Sequence, residues 1–409
     1  MATRRILTAE LLSVGSELTV GETRDTNAGD LARSLTGLGV AVERIQALPD
    51  RLGTVRDAMT DAIGRADLVV TTGGLGPTPD DLTREAVAAA VGQTPTVDPE
   101  LETWLRAMWD RRGMPFPAMN LKQAWLIPAA SALPNPNGTA PGWWVERPDG
   151  GLVVCLPGPP REMRPMWADH VLPRLASRGA GAEVASRTLR MAGIGESQLA
   201  DLLGEDLLRS ADPVVATYAR SDAVDVRISS RRDGVTSAGG DPSTDPTPAE
   251  RVAAAAERVL ELAGDHVWAE GETTWPEAVG AALGEHRLSL AVVEVATGGS
   301  LATLLGDRPW LRFAESLASD APSAAAHPNP VGLEALTRRG MEVGGASVGI
   351  GVRARRRGAD TAVSVVVVGP GWVHFERRIV FLGGENGRLR SALAAVHILL
   401  TEIRERPSV

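Results

Sequence analysis

Apolar residues recur along the chain with a period that switches between two and about 3.6, and the switches mark out elements. "ILTAELLSVG" reads as a first strand, and "TNAGDLARSLTGLG" follows with apolar residues at helical spacing and a closing glycine. "VAVERIQALPD" is a second strand, "LGTVRDAMTDAIGRA" a second helix, "DLVVTTGG" a third strand and "PDDLTREAVAAAVG" a third helix. A helical segment over Leu101 to Arg112 precedes three more strand candidates, "QAWLIP", "GWWVER" and "GLVVCLPGPP". Strands alternating with helices in this way predict a layered α/β domain with a mainly parallel sheet. Near Val184 the rhythm changes. "SRTLRMAGIGESQLADLLGEDL", "AVDVRISSR" and the helix "PAERVAAAAERVLELAG" predict a small α+β unit, and the Gly, Ser, Thr, Asp and Pro-rich stretch Arg231 to Pro248 is read first as a loop inside it and second as a linker. From about Glu272 a further α/β unit begins with "WPEAVGAALGEH", "LSLAVVEVA" and a "TGGS" turn, and closes on "RLRSALAAVHILLTEIRE". The expected division is 1–175, 176–271 and 272–409.

In an open α/β sheet, ligands bind where loops leave the carboxyl ends of strands. Four places meet that description. "GSELTVGETRDTN" after strand one offers Glu17, Asp25 and Asn27, and "LPD" puts Asp50 just past strand two. "TTGGLGPTPDDLT" after strand three holds Thr72, Gly73, Gly74, Gly76, Thr78, Asp80 and Asp81. "NPNGTAPG" and "LPGPPREM" flank the last strands and carry Asn137, Gly138, Thr139, Pro157, Gly158 and Glu162. The glycines admit close approach of a ligand to the main chain, and a helix starting near Pro79 would turn its free N–H groups on a phosphate. Two adjacent aspartates beside a phosphate then call for a divalent cation held by Asp80 and Asp81, with Asp50 in reach. The structural alternative is a capping box from Thr78 to Asp81, with Asp80 favouring the helix dipole. For Glu17 and Asn27 the alternative is turn chemistry, and for "NPNGTAPG" an ordinary tight loop.

The 409 residues carry a net charge of −9 with acidic and basic groups interspersed, which disfavours nucleic-acid binding. The basic run "VRARRRGAD" is read as a solvated loop. A single cysteine, Cys155, excludes internal disulfides, and the six histidines show no metal-ligand spacing. Lys122 is the only lysine, so Walker-type or Schiff-base chemistry has little room. Trp143 and Trp144 are read first as core or interface residues and second as a base-stacking pair. No signal peptide and no run long enough to span a membrane is evident, so a cytoplasmic protein is expected.

Taken in order and spacing, "SVGSELTVGETRDTN", "LPDR", "TTGGLGPTPDDLT", "NPNGTAPG" and "LPGPPREM" resemble the family of competence- and damage-inducible protein A (CinA). That resemblance implies a three-layer α/β/α first domain similar to molybdopterin-binding proteins, a KH-like middle domain and a C-terminal domain related to nicotinamide mononucleotide deamidases. It also implies metal-dependent ADP-ribose pyrophosphatase activity in the first domain, and a homodimer. The functional aspartates then fall at Asp50 and Asp81, with Gly73, Gly74, Gly76 and Thr78 in the ligand-contacting loop. Mg²⁺, Mn²⁺ or Co²⁺ would serve as the cation and a nucleotide as the substrate, with Glu17 and Asn27 completing the pocket and neither membrane nor nucleic acid as partner. The C-terminal domain departs from the pattern. Where the family carries "AESCTGG" with a serine nucleophile, this chain reads "VEVATGG", so Val295 stands at the serine and Ala296 at the cysteine. Valine cannot attack an amide. Deamidation is therefore expected to be absent, with Thr297, Gly298 and Gly299 kept as a strand-to-helix turn.

Overall fold

Alternation in the first strands sets the architecture, because neighbouring residues face opposite sides of a sheet. A computed structural model describes residues 4–232, 245–321 and 330–406. Most of the Gly, Ser and Pro-rich stretch, 233–244, lies outside the described residues, as does His327.

Strands β1 (Thr8–Val14), β2 (Ala41–Leu48) and β3 (Leu68–Thr72) pair in parallel, with β1 between the other two. The short strands β4 (Thr96–Val97) and β5 (Trp125–Leu126) pair only with each other. Strands β6 (Ala130–Leu133), β7 (Gly142–Glu146) and β8 (Leu152–Leu156) complete a six-stranded sheet of order β2-β1-β3-β8-β7-β6. The "QAWLIP" stretch thus gives a two-residue side ribbon, and the edge of the sheet is the weakly patterned "ASAL" instead. On one face Leu11, Val70 and Val154 pack with Leu31 and Leu35 of helix Asn27–Gly37 and with Met166, Trp167 and Leu175. On the other, Leu12, Val69 and Val153 pack with Val55 and Met59 of helix Leu52–Arg65 and with Ala86 and Val87 of helix Thr83–Ala90. Two cores on two faces make three layers. Trp143 and Trp144, consecutive on β7, enter opposite cores and are buried, which settles them as packing residues.

The second compact unit spans residues 185–230 and 246–409. Its smaller sheet has the order β10-β11-β9-β12, built from β9 (Glu183–Met191), β10 (Val214–Ala219), β11 (Val224–Arg232) and β12 (Val267–Glu270). Helices Glu196–Leu208 and Pro248–Ala263 bury Leu199, Leu203, Val252 and Val259 against it. Thr247 caps the second of these helices in a reciprocal box with Glu250, as the sequence pattern Thr-Pro-Ala-Glu dictates.

The larger sheet joins β13 (Leu290–Val295), β14 (Leu311–Leu317), β15 (Val348–Arg357), β16 (Asp360–Gly369) and β17 (Trp372–Val380) in the order β14-β13-β15-β16-β17. Helices Trp275–Glu285, Ser300–Leu305 and Gly384–Glu405 cover one face, and Leu333 and Leu336 of helix Pro330–Gly344 pack on the other. The basic run expected as a loop is the end of β15, turning through Gly358 into β16, with Arg353 buried and Arg355, Arg356 and Arg357 exposed. Strand pairing satisfies its backbone, which overrides the local charge.

Candidate functional site

Four of the loops singled out in the sequence converge at the carboxyl ends of β1, β2, β3 and β8. Gly73 donates its N–H to the Leu156 carbonyl and has φ of +92°, and a Cβ there would stand 2.0 Å from the Val14 carbonyl oxygen. Only glycine permits that crossing of backbones. Gly74 also sits at positive φ, with no room for a side chain against the Thr83 hydroxyl, and Gly158 lies against Gly73. Asn27 donates its amide to the Gly158 carbonyl at 2.7 Å, and its own Oδ1 is buried without a partner. Asp50 and Ser16 exchange main-chain and side-chain hydrogen bonds, 2.7 and 3.2 Å, fastening the end of β2 to the loop after β1. Glu17 is exposed, and its carboxylate folds back over Gly15.

The helix after the glycine loop begins at Thr83, four residues later than Pro79 suggests. Thr78 and Asp81 do form the hydrogen bonds of a box, from the Thr78 N–H and hydroxyl to Asp81 Oδ2, but these close a turn ahead of the helix. Leu82 occupies the N-cap and offers no side-chain cap. The helix start is tied back instead: Thr83 donates its N–H to the Gly74 carbonyl and its hydroxyl to that of Gly73. Its first N–H groups are therefore not all free for a phosphate, a correction to the expectation from Pro79. The neighbouring Thr78 hydroxyl, then Asp80's own main-chain N–H and, less, the charge of Lys122 keep the exposed Asp80 carboxyl below the usual carboxylate range.

Two basic residues that sequence reasoning passed over shape this loop. Lys122 donates to the main-chain carbonyl of Asp81 and pairs with Glu85 at 2.7 Å, while Glu85 Oε2 is buried without a partner. Arg84 is completely buried and donates to the carbonyls of Leu75 (2.6 Å) and Pro141 (2.9 Å), clamping the glycine loop to the "NPNGTAPG" loop. Burial pushes its guanidinium down to about 10, so it keeps its charge at neutral pH. A lone lysine and an arginine at the second position of a helix carry no local signal of such a role.

The remaining wall is held from within. Asn135 donates to the Glu162 carboxylate at 2.8 Å and to the Ala140 carbonyl, Asn137 bonds the Arg161 carbonyl, and Gln123 bonds the Thr139 hydroxyl. Gly138 leaves no room for a Cβ beside Glu162, and Pro157 is buried at the end of β8. Thr72 reaches only the buried Ser13 hydroxyl, at 3.4 Å.

Among the described residues, no three His, Cys, Asp or Glu side chains cluster as an all-protein metal cage. One oxygen of Asp81 is occupied by its own turn, and one of Asp50 by the Ser16 N–H of the loop after β1. Such a donor set fits a Mg²⁺-like ion that keeps several waters and phosphate oxygens and takes one or two carboxylates.

In the second unit, "VEVATGG" leaves β13 as a turn into helix Ser300–Leu305, with Ala296, Gly298 and Gly299 at positive φ. The turn is organised by Glu294, which is fully buried and accepts from the Thr297 hydroxyl, the Leu301 N–H (3.0 Å) and the Ala302 N–H (2.9 Å). Val295 is packed in the core.

Residues 10–177 match the family described as a probable molybdopterin binding domain, and residues 186–240 the KH domain of damage-inducible protein CinA. A CinA-like protein of Deinococcus deserti is 47% identical over 304 residues, which cover 74% of this chain and 72% of that one. A putative competence-damage inducible protein of Moorella thermoacetica is 35% identical over 97% of this chain and 99% of its own. Among solved structures, a CinA protein of Thermoplasma acidophilum is 34% identical with a TM-score of 0.38, over 40% of this chain and 95% of that chain.

Proposed function

The chain belongs to the family of CinA-like proteins, and from that premise we propose that its N-terminal unit hydrolyses the diphosphate of ADP-ribose, or of a related nucleotide sugar, to AMP and a sugar phosphate. The observation that carries this reading is the meeting of the glycine loop, the Asp81 turn, Asn27 and Asp50 at one end of a parallel sheet. Main-chain N–H groups of the glycine loop hold phosphate oxygens. Asn27 Oδ1, buried and unpartnered, accepts from a substrate hydroxyl, since an orphaned acceptor is costly until a donor arrives. Asp81, with Asp80 next to it in the chain and Asp50 at the same end of the sheet, would hold a divalent cation of the Mg²⁺, Mn²⁺ or Co²⁺ type. When bound, that ion polarises the diphosphate and supplies an activated water. Lys122 keeps the Asp81 turn seated through its bond to the Asp81 carbonyl.

Product analysis of the full chain with ADP-ribose and each metal tests this, beside Asp81→Asn. Metal-dependent AMP release that drops about 100-fold in the variant supports the reading, a loss typical of removing a group that acts in the transition state. The lack of a preformed cage among the described residues favours a second reading, a nucleotide- or molybdopterin-binding unit without turnover. Binding of ADP-ribose with no AMP release under any metal would establish that one.

In the second unit Val295, the last residue of β13, stands where the family resemblance puts the serine nucleophile, and Ala296 where it puts the cysteine, so we infer that amide hydrolysis of nicotinamide mononucleotide is absent. Ammonia release from that substrate by contaminant-free protein would overturn this.

A further inference from the structure

Beside the candidate phosphate site lies an apolar cavity of about 300 Å³ that nothing above accounts for. Leu101 and Trp104 of helix Pro99–Arg111, Ala132 and Leu133 of β6, and Pro141 and His170 form much of its wall. Its position is fixed to the glycine loop by the buried Arg84, whose guanidinium bonds Leu75 in that loop and Pro141 in the cavity wall. The two carbonyls sit on one planar group, so the cavity wall at Pro141 lies within one nucleotide length of the phosphate loop. We propose that this cavity takes the purine base of the nucleotide substrate, an inference that rests on the diphosphate reading only for the anchoring of the phosphates.

The chemistry of the walls selects the occupant. Ribose and phosphate are polar throughout, and the base is the one part of a nucleotide sugar with a broad, poorly hydrated face. Trp104 and His170 contribute aromatic rings to the wall, and aromatic stacking accepts any base because every base has a π-face. Edge recognition is lacking at the polar wall residue Asn135: its amide nitrogen serves Ala140 and Glu162, and its oxygen takes the Asn137 N–H. The pocket therefore holds a purine without reading its substituents, and adenine and guanine nucleotides bind alike.

Calorimetric titration of the full-length protein with AMP, GMP and ribose 5-phosphate tests this without requiring turnover. The expected result is AMP and GMP affinities within about threefold, and ribose 5-phosphate at least about tenfold weaker, towards the low end for one aromatic–base stack. Trp104→Ala should weaken AMP about tenfold and leave ribose 5-phosphate unchanged. Ala132→Phe, which fills the cavity and keeps Trp104, should do the same, and thermal melts of both variants identify a folding defect. The proposal is overturned if AMP does not bind, if ribose 5-phosphate binds as tightly as AMP, or if folded variants keep full AMP affinity. If the binding pattern holds while ADP-ribose is not cleaved, the hydrolase reading fails and the base pocket stands.

Discussion

Gly73 and Lys122 govern the candidate site in opposite ways, one by having no side chain and the other by the charge at the end of a long one. A methyl group at Gly73 would meet the Val14 carbonyl oxygen at 2.0 Å on a backbone already at φ +92°. Gly73→Ala should therefore lower the unfolding free energy by about 2–4 kcal/mol in urea titration, since the strain and the overlap add. Lys122→Met keeps the aliphatic stem near the Trp125 ring and removes the charge. Glu85 would then have two unpartnered oxygens. The expected cost is about 1–2 kcal/mol, and Glu85→Gln in the same background should recover most of it, because the penalty lies in the orphaned carboxylate. AMP release by Lys122→Met should drop further than its stability loss explains if the lysine seats the Asp81 turn. At this scale the glycines were legible in the sequence, because adjacent glycines after a strand have few other uses. Lys122 was not, because its partners are 37 and 41 residues away along the chain.

The elements follow local pattern wherever pattern is strong. Thr247 and Glu250 spell a capping box and form one, and Asp98 caps helix Pro99–Arg111 by accepting from Glu100 and Leu101. Thr78 and Asp81 spell the same box, yet they close a turn because the glycine loop captures Thr83 and fixes the helix start there. The edge strand β6 was invisible, since "ASAL" has little β propensity and becomes a strand through its pairing with β7. The turn after β13 shows a buried charge replacing a missing cap. Glu294→Ala should cost about 2–4 kcal/mol, because the Leu301 and Ala302 N–H groups lose their acceptor in a buried setting. Glu294→Gln should retain part of that, and thermal unfolding of the two variants separates charge from hydrogen bonding.

For the molecule as a whole, the second unit carries a pH dependence of its own. His397 lies beneath the β12 region, and burial first, then Arg378 and His266, push its imidazole from 6.5 down to about 4, with Arg404 acting the same way and Glu376 opposing. Its Nδ1 is buried without a partner. The unfolded chain thus binds this proton more readily than the folded one between those two values. Stability from this group is complete above pH 6.5, declines as pH falls towards about 4, and is lost below it, about 3 kcal/mol in all. Urea midpoints of His397→Gln and the parent, compared from pH 7 to pH 4, should converge as the pH falls if the variant packs less well at pH 7. A parallel decline of the two would show that other groups carry the effect.

No helix among the described residues is long and apolar enough to cross a membrane, in line with the absence of any such run in the sequence. The sequence by itself determined the alternation of strands and helices, the composition of the glycine and aspartate loops, the family, and the presence of Val295 where the family resemblance puts a serine. These are readable because each is written in contiguous residues whose backbone and periodicity preferences act locally. The tertiary structure alone decided that Asn27 meets Gly158, that Arg84 clamps two loops, that Lys122 and Glu85 join the Asp81 turn, and that an apolar cavity lies behind Pro141. Each of these pairs residues from different elements, and which elements become neighbours is set by the burial of their apolar faces on a shared sheet, a property of the packed whole that no local stretch contains.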